Sequence, residues 1–400
     1  MPAAATTNRR AAGSTSNGGS GSNASKGLWT RVCESGIPGV FFGLVFLISG
    51  LAVNVLQLAS LLLWPVSPLL YRRFNHTIIQ IHWSEMIWVA EWWAGIKVVL
   101  SSSSRKALEA SIGVDQGVAL CNHRSDVDWL FGLVLAEKYN CLGGAKAYMK
   151  GNTKFLPILG WSWWFLEFVF LSRAWDKDQS KLASACKSLD GFPLPFWMVI
   201  FAEGTRYTEE KHRASQEFAR ANNLPVLRHL LVPRTKGFAY TAMGLRDVVT
   251  KVYDVTFAFP EGREPNVGSM LQGKSGEVHM NIEIHNIKDL PQDADAIQQW
   301  CRDLYSRKDD LLEYHKQNQH FPGESWEIKR HLFPLVTMAS WCTLISGLFL
   351  RYIYRAVQAG EHWTVASIFA FLLILGYIVK FLVDFSKANK KKKQHAKKED

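Results

Sequence analysis

The chain has 400 residues, 48% of them hydrophobic and 12% aromatic, and carries a formal charge of +11. That length holds one large domain with membrane segments or two modest domains, and the charge favours nucleic acid, an anionic membrane or a phosphorylated substrate as partner. The absence of any RNP, zinc-finger or helix-turn-helix pattern argues against nucleic acid, and six scattered cysteines without a CxxC pair read as small buried hydrophobes in a reducing compartment rather than metal ligands.

In chain order, residues 1–26 are dominated by Ala, Thr, Ser, Gly and Asn. They cannot bury enough apolar area to offset their ordering entropy and are predicted to be disordered. The first hydrophobic stretch begins too late for a cleaved signal. Residues 36–71 form an N-terminal membrane segment, uncharged throughout until Arg72, with a core at 40–63 long enough to cross a bilayer. Asn54, Gln57 and Pro65 inside it leave a through-going helix and a shallow hairpin both open. Residues 79–100, with four tryptophans among Glu85, Glu91 and Lys97, fit an amphipathic helix at the membrane surface, a buried core helix being the other reading.

Residues 72–330 form the main folded domain. Apolar runs at 118–121 and 197–202, bounded by polar loops, read as buried strands. Residues 251–259 and 277–285 read as further strands and 298–317 as an amphipathic helix, so the fold class is α/β. Residues 331–385 form a transmembrane helical hairpin, with spans at 332–350 and 363–379 and Arg351, Arg355, Glu361 and His362 in the connection. Residues 386–400 are a basic tail with seven lysines, cytosolic by the positive-inside rule. Its Lys397-Lys398 reads equally as an endoplasmic-reticulum retrieval signal and as the end of a solvated lysine run. A two-span hairpin then places 72–330 on the cytosolic side too. The sequons at Asn23 and Asn75 offer a topology probe.

Chemistry concentrates after the buried strands. Asn122-His123-Arg124-Ser125-Asp126-Val127-Asp128 follows the first. A hydroxyl is a poor nucleophile at neutral pH, and a histidine of ordinary pKa near 6.5 suits the removal of its proton. A carboxylate on the other ring nitrogen fixes the tautomer. On a continuous helix His123 and Asp128 sit apart; with His123 in the loop and Asp128 in the first helical turn they meet, while Ser125 or Asp126 caps the helix and Asp126 is a second candidate partner. Glu203-Gly204-Thr205-Arg206 follows the second strand, where glycine lets backbone approach a ligand and an arginine fork holds phosphate oxygens. Lys154 and Arg173 flank an apolar stretch in which Pro157 and Gly160 suit a lipid-chain groove. In 231–237, Pro233 shapes a turn and Lys236 adds charge. No nucleophile elbow occurs, against an α/β-hydrolase mechanism.

These four blocks, in this order and at these separations, resemble the glycerolipid acyltransferase family. His123-x4-Asp128 matches its catalytic motif and Glu203-Gly204-Thr205-Arg206 its substrate-phosphate motif, with 154–161 and 232–237 matching the other two. The strings around His123, Pro193 and Pro233 are similar to the plant and algal class of microsomal lysophosphatidate acyltransferases. The resemblance implies a glycerol-phosphate-acyltransferase-like mixed sheet flanked by helices. It implies transfer of an acyl group from acyl-CoA, a co-substrate with no cofactor bound, to the sn-2 hydroxyl of 1-acylglycerol 3-phosphate. His123 and Asp128 would be the catalytic pair, with Arg206 on the acceptor phosphate, helped by some combination of Lys154, Arg173 and Lys236. The expected partners are acyl-CoA, lysophosphatidate and the bilayer. Relatives acting on lysophosphatidylinositol or lysocardiolipin carry similar motifs, and a scaffold or a thioesterase on the same fold are rival readings.

Overall fold

A computed structural model describes residues 32–33, 35–172, 174–374 and 377. The segments 1–26 and 386–400, Arg173 and the end of the second C-terminal span lie outside these.

The first long helix, α1 (Ile37–Ser60), is followed by α2 (Pro68–Trp88), which starts where Ser67 caps the Leu70 amide and Pro68 supplies a helical φ. A π-turn, Val89–Trp93, ends α2 and delivers the chain to β1 (Lys97–Ser102). The sequence expectation for 79–100 is corrected here. Ile79, Trp83 and Ile87 are wholly buried, so this half of α2 is a core helix and the stretch ends in a strand.

Then come α3 (Arg105–Ser111), β2 (Gly117–Cys121), α4 (Asp128–Lys138), β3 (Ala145–Lys150), α5 (Leu159–Phe165), β4 (Val169–Leu171), α6 (Trp175–Leu189) and β5 (Trp197–Phe201). The chain continues through α7 (Glu209–Ala221), α8 (Thr235–Gly244), β6 (Lys251–Ala258), α9 (Val267–Leu271), β7 (Glu277–Asn286), α10 (Ala294–Asn318), β8 (Glu324–Glu327) and α11 (Leu332–Gln358). The last described helix is α12 (His362–Ile374).

The strands form one mixed sheet in the order β4-β3-β5-β2-β6-β7-β1-β8. The run from β4 to β6 is parallel; β7 is antiparallel to β6, β1 parallel to β7, and β8 antiparallel to β1. The central β2 reads Gly-Val-Ala-Leu-Cys and is buried at all five positions, as expected of a parallel strand covered on both faces. Alternation divides it: Ala119 and Cys121 face a core shared with α2 and α4, while Val118 and Leu120 face one shared with α6, α8 and α10. From α10 the wholly buried Lys308 pairs with Asp254 and donates to the carbonyls of Leu120 (3.1 Å) and Val255 (2.7 Å). Tyr305 of the same helix donates to the Cys121 carbonyl at 3.0 Å.

Among the described residues, two helices are long and apolar enough to cross a membrane, Ile37–Leu63 and Leu332–Gln358. Polar side chains inside α1 face the protein. Asn54 donates to Gln57 (2.7 Å) and to Ser162 of α5 (2.9 Å), and Ser49 donates to Glu85 of α2 (3.0 Å). The expected break at 351–362 shrinks. Helix α11 continues through Arg351 and Arg355 to Gln358, and only residues 359–361 separate it from α12. Asn75 is buried within α2 and donates to Ser60 at 2.8 Å, so it cannot serve as a glycosylation probe in the folded chain.

Candidate active site

The C-terminal ends of parallel strands leave their backbone groups without a further ladder partner, and loops there converge on ligands. Here the loops after β2 and β5, joined by residues 231–234, make the site. Asn122 anchors the first: its side chain accepts from the Phe257 amide at 2.7 Å and donates to the Phe257 carbonyl at 3.1 Å, tying the loop to β6. His123 follows outside any helix and Asp128 opens α4. This satisfies the condition under which the two meet, and the His123 Nδ1 to Asp128 Oδ2 distance is 3.0 Å.

Asp128 is fully buried, and its Oδ2 also accepts the Ser125 amide at 3.0 Å. The imidazole remains about a quarter exposed, leaving its Nε2 edge free for a substrate. The cap position falls on Val127, with no side-chain cap, rather than on Ser125 or Asp126. Asp126 does not reach His123 but faces Arg206, 3.7 Å from Oδ2 to Nη1 across exposed surface.

Glu203 departs most from its expected role. It is buried, with one oxygen accepting the His123 amide at 2.8 Å and the other the Leu231 amide at 3.2 Å. Burial pushes its carboxyl up to about 7 against the pull of those two amides. Glu203 is therefore an internal strut between two loops and not a phosphate ligand. The Tyr207 amide donates back to the His123 carbonyl at 2.8 Å, closing the tie between the loops.

Gly204 has φ +68°, a conformation that L side chains rarely adopt. Thr205 accepts from Lys211 of α7 at 2.7 Å, which braces the loop, and Arg206 is half-exposed at its tip. On the other flank Arg124 stacks over the Tyr207 ring at 4.6 Å and donates to the His229 carbonyl at 3.0 Å.

The remaining expected residues are placed differently. Lys154 is exposed after β3, at the same end of the sheet, with its ammonium 5.0 Å from the Phe155 ring centroid and no contact to the His123 loop. Gly160 lies where an added Cβ would fall 2.2 Å from the Thr153 carbonyl, so it allows α5 to close against its own loop. Pro157 is exposed, and neither it nor Gly160 is among the residues that line the apolar cavity. Pro233 is buried in a stretch whose neighbouring amides hold Glu203 and Ala202. Lys236 is exposed in the first turn of α8 and touches neither loop, and Arg173 lies outside the described residues.

The cavity lies beneath the catalytic pair instead. Its volume is about 180 Å³, and Asp128 and Phe201 border it at one end, Trp197 and Tyr253 at the other. Four residue steps along β5 separate these ends, about 13 Å at strand rise. Small side chains make the space: Ala119, Cys121, Ala145 and Ala147 from the sheet, and Gly132 from α4. Burial pushes the Cys121 thiol up to about 12, so no thiolate nucleophile stands there. The sequence reading missed Asn122, Tyr207 and Arg234 as site residues; each adjoins or lies within a motif string already singled out, but a string does not say which of its members face inward.

Residues 105–258 match the family described as Acyltransferase, and residues 269–341 the one described as Acyltransferase C-terminus. The chain is 41% identical over 324 residues to 1-acyl-sn-glycerol-3-phosphate acyltransferase 2 of Arabidopsis thaliana, covering 80% of this chain and 82% of that one. It is 34% identical over 348 residues to the gamma form from Homo sapiens, covering 87% and 92%. Among solved structures, the LPA acyltransferase PlsC from Thermotoga maritima aligns over 66% of this chain and 97% of that one, at 18% identity and a TM-score of 0.37, too distant to build on. Two family matches and identities of this order over most of the chain lead to one conclusion: the chain belongs to the acyltransferase family and is an enzyme of that class.

Proposed function

We propose that the protein acylates the sn-2 hydroxyl of 1-acyl-sn-glycerol 3-phosphate to give phosphatidate, with acyl-CoA as donor. The observation that carries the mechanism is the 3.0 Å contact from His123 Nδ1 to the buried Asp128 Oδ2. A carboxylate there holds the Nδ1–H tautomer, so the exposed Nε2 has the lone pair that takes a proton. The acceptor oxygen gives its proton to Nε2 and attacks the thioester carbonyl. The new C–O bond forms, the C–S bond breaks, and the coenzyme leaves as a thiolate that collects the proton from His123. Free thiols have pKa near 8.5, so departure needs little acid assistance.

The phosphate is held at the Gly204–Arg206 loop, where guanidinium and exposed backbone meet. The apolar cavity next to Asp128 takes an acyl chain. Supporting the acceptor assignment are the names of the relatives, all 1-acyl-sn-glycerol-3-phosphate acyltransferases in the comparisons above. The two apolar helices and the exposed apolar side chains along them support a membrane protein. Within this reading, residues 72–330 face the cytosol at the endoplasmic reticulum and 331–385 form the hairpin.

The test uses washed membranes with the wild type or His123→Ala, labelled acyl-CoA and a panel of lysophospholipids. Label should enter phosphatidate and fall at least about 10²-fold in the variant, as loss of a general base requires. Label entering a phosphodiester lipid instead would replace the acceptor, and equal labelling by both membranes would remove His123 from the mechanism.

A further inference from the structure

Arg234 takes no part in the His123–Asp128 chemistry. Its amide donates to the Ala202 carbonyl at 2.7 Å, which fixes its backbone beside the loop after β5. Its side chain lies across Gly204: an added Cβ there would fall 3.0 Å from Arg234 Cδ and 3.2 Å from Nε. The residue is exposed, and no described residue accepts a hydrogen bond or forms an ion pair with its guanidinium. The nearest acid in sequence to Gly204 is Glu203, whose two oxygens are turned inward to the His123 and Leu231 amides. No described carboxylate neutralises Arg234.

We infer that Arg234 is the second guanidinium of a phosphate clamp, opposite Arg206 across the Gly204 step. This rests on the acceptor reading above and names a group that binds it. Arg206 has only the exposed 3.7 Å contact with Asp126, a pair of the kind worth little and readily displaced by a better anion. Gly204 leaves its backbone bare between the two arginines, so a phosphoryl group can approach it closely. Two planar forks match a dianionic phosphomonoester, with its three terminal oxygens, better than a phosphodiester carrying one charge and two such oxygens. Lys236 and Lys154 are exposed too, but the side chain that lies against Gly204 is that of Arg234.

The experiment is steady-state kinetics on the full chain in membranes, varying lysophosphatidate and acyl-CoA separately, for the wild type, Arg234→Gln and Arg234→Lys. Losing one charge-assisted contact should raise the lysophosphatidate KM by at least about tenfold. The acyl-CoA KM should stay within about twofold and kcat within about threefold, with Arg234→Lys between the two. Lysophosphatidylcholine, a phosphodiester, should show a smaller ratio between wild type and variant. A wild type that makes phosphatidate while Arg234→Gln leaves the acceptor KM unchanged overturns the clamp alone. A rise in the acyl-CoA KM instead also overturns it and gives Arg234 to the coenzyme phosphates. A wild type that acylates other lysophospholipids but not lysophosphatidate overturns both the clamp and the reading on which it rests. A variant that misfolds would lose kcat on every acceptor, which the Lys variant and the phosphodiester arm separate from lost phosphate binding.

Discussion

At the scale of single residues the site is a set of backbone amides held by buried carboxylates. Asp128 Oδ2 accepts both the His123 ring and the Ser125 amide. Asp128→Asn keeps the shape but places an amide nitrogen or a weaker acceptor against Nδ1–H. We expect kcat to fall by on the order of 10²–10⁴-fold with KM little changed, measured by initial rates. Glu203→Gln has a different signature. Both carboxylate oxygens accept backbone N–H groups, and the glutamine nitrogen can accept neither, so one loop amide is orphaned. A fall in kcat on the order of tenfold is expected.

Protonation adds a second signature. Glu203 is held near 7 in the fold, against an ordinary value of 4.5. A carboxyl raised in this way binds its proton more tightly when folded. Its contribution to stability is present below pH 4.5 and is lost as pH rises through about 7. The melting-temperature gap between wild type and Glu203→Gln should therefore shift against the wild type across that window, and a gap independent of pH would refute the burial argument. The His123–Asp128 pairing was legible because it needs only a loop followed by a helix start. The inward turn of Glu203 was not, because a motif string reports chemistry and not direction.

At the scale of elements, burial decided what could be read. Strands β2 and β5 are apolar runs, and β6 and β7 carry strand patterning, β7 by alternation, so these four stand out in the sequence. Strand β8 is a polar four-residue edge, β4 has only three residues, and β1 follows directly on a tryptophan-rich helix, so none carries a signal of its own. The C-terminal hairpin was drawn with too long a connection for a related reason. Hydropathy falls at Arg351 and Arg355, yet arginine is a good helix former and α11 runs on through both.

Helix α4 carries the most direct test of the cavity. Gly132 lines it, and an added Cβ would meet nothing within 4 Å. Gly132→Leu should fold, being a helical glycine replaced by a better helix former, and occupy part of the space. The longest acyl-CoA used efficiently should shorten, read as kcat/KM across a chain-length series. An unchanged profile would mean that the chain binds elsewhere.

At the scale of the whole molecule, α1 and α11 offer apolar surface to their surroundings while α1 turns Ser49, Asn54 and Gln57 toward the protein. Exposed side chains such as Leu47, Leu51, Val55 and Leu58 on α1 and Leu348, Leu350 and Tyr354 on α11 would be costly in water. The protein should stay in the membrane fraction after alkaline carbonate washing and enter solution only with detergent. That a helix long and apolar enough to cross a membrane lies on each side of the catalytic domain was legible from length and hydropathy. That α1 docks on α2 and α5 through hydrogen bonds was not, because its polar residues read only as interruptions.

The strand order has a consequence for synthesis. Strand β1 pairs with β7 on one side and β8 on the other, and both are made about 180 or more residues later. During translation β1 therefore waits as an unpaired edge while β2 to β6 assemble, and β6 waits likewise for β7. The two matched family segments divide the sequence between residues 258 and 269, but that division cuts through one sheet. A chain stopped there would leave two adhesive edges and no α10 to supply Lys308 and Tyr305, so a ribosome that stalls in this interval releases a chaperone client, not half an enzyme.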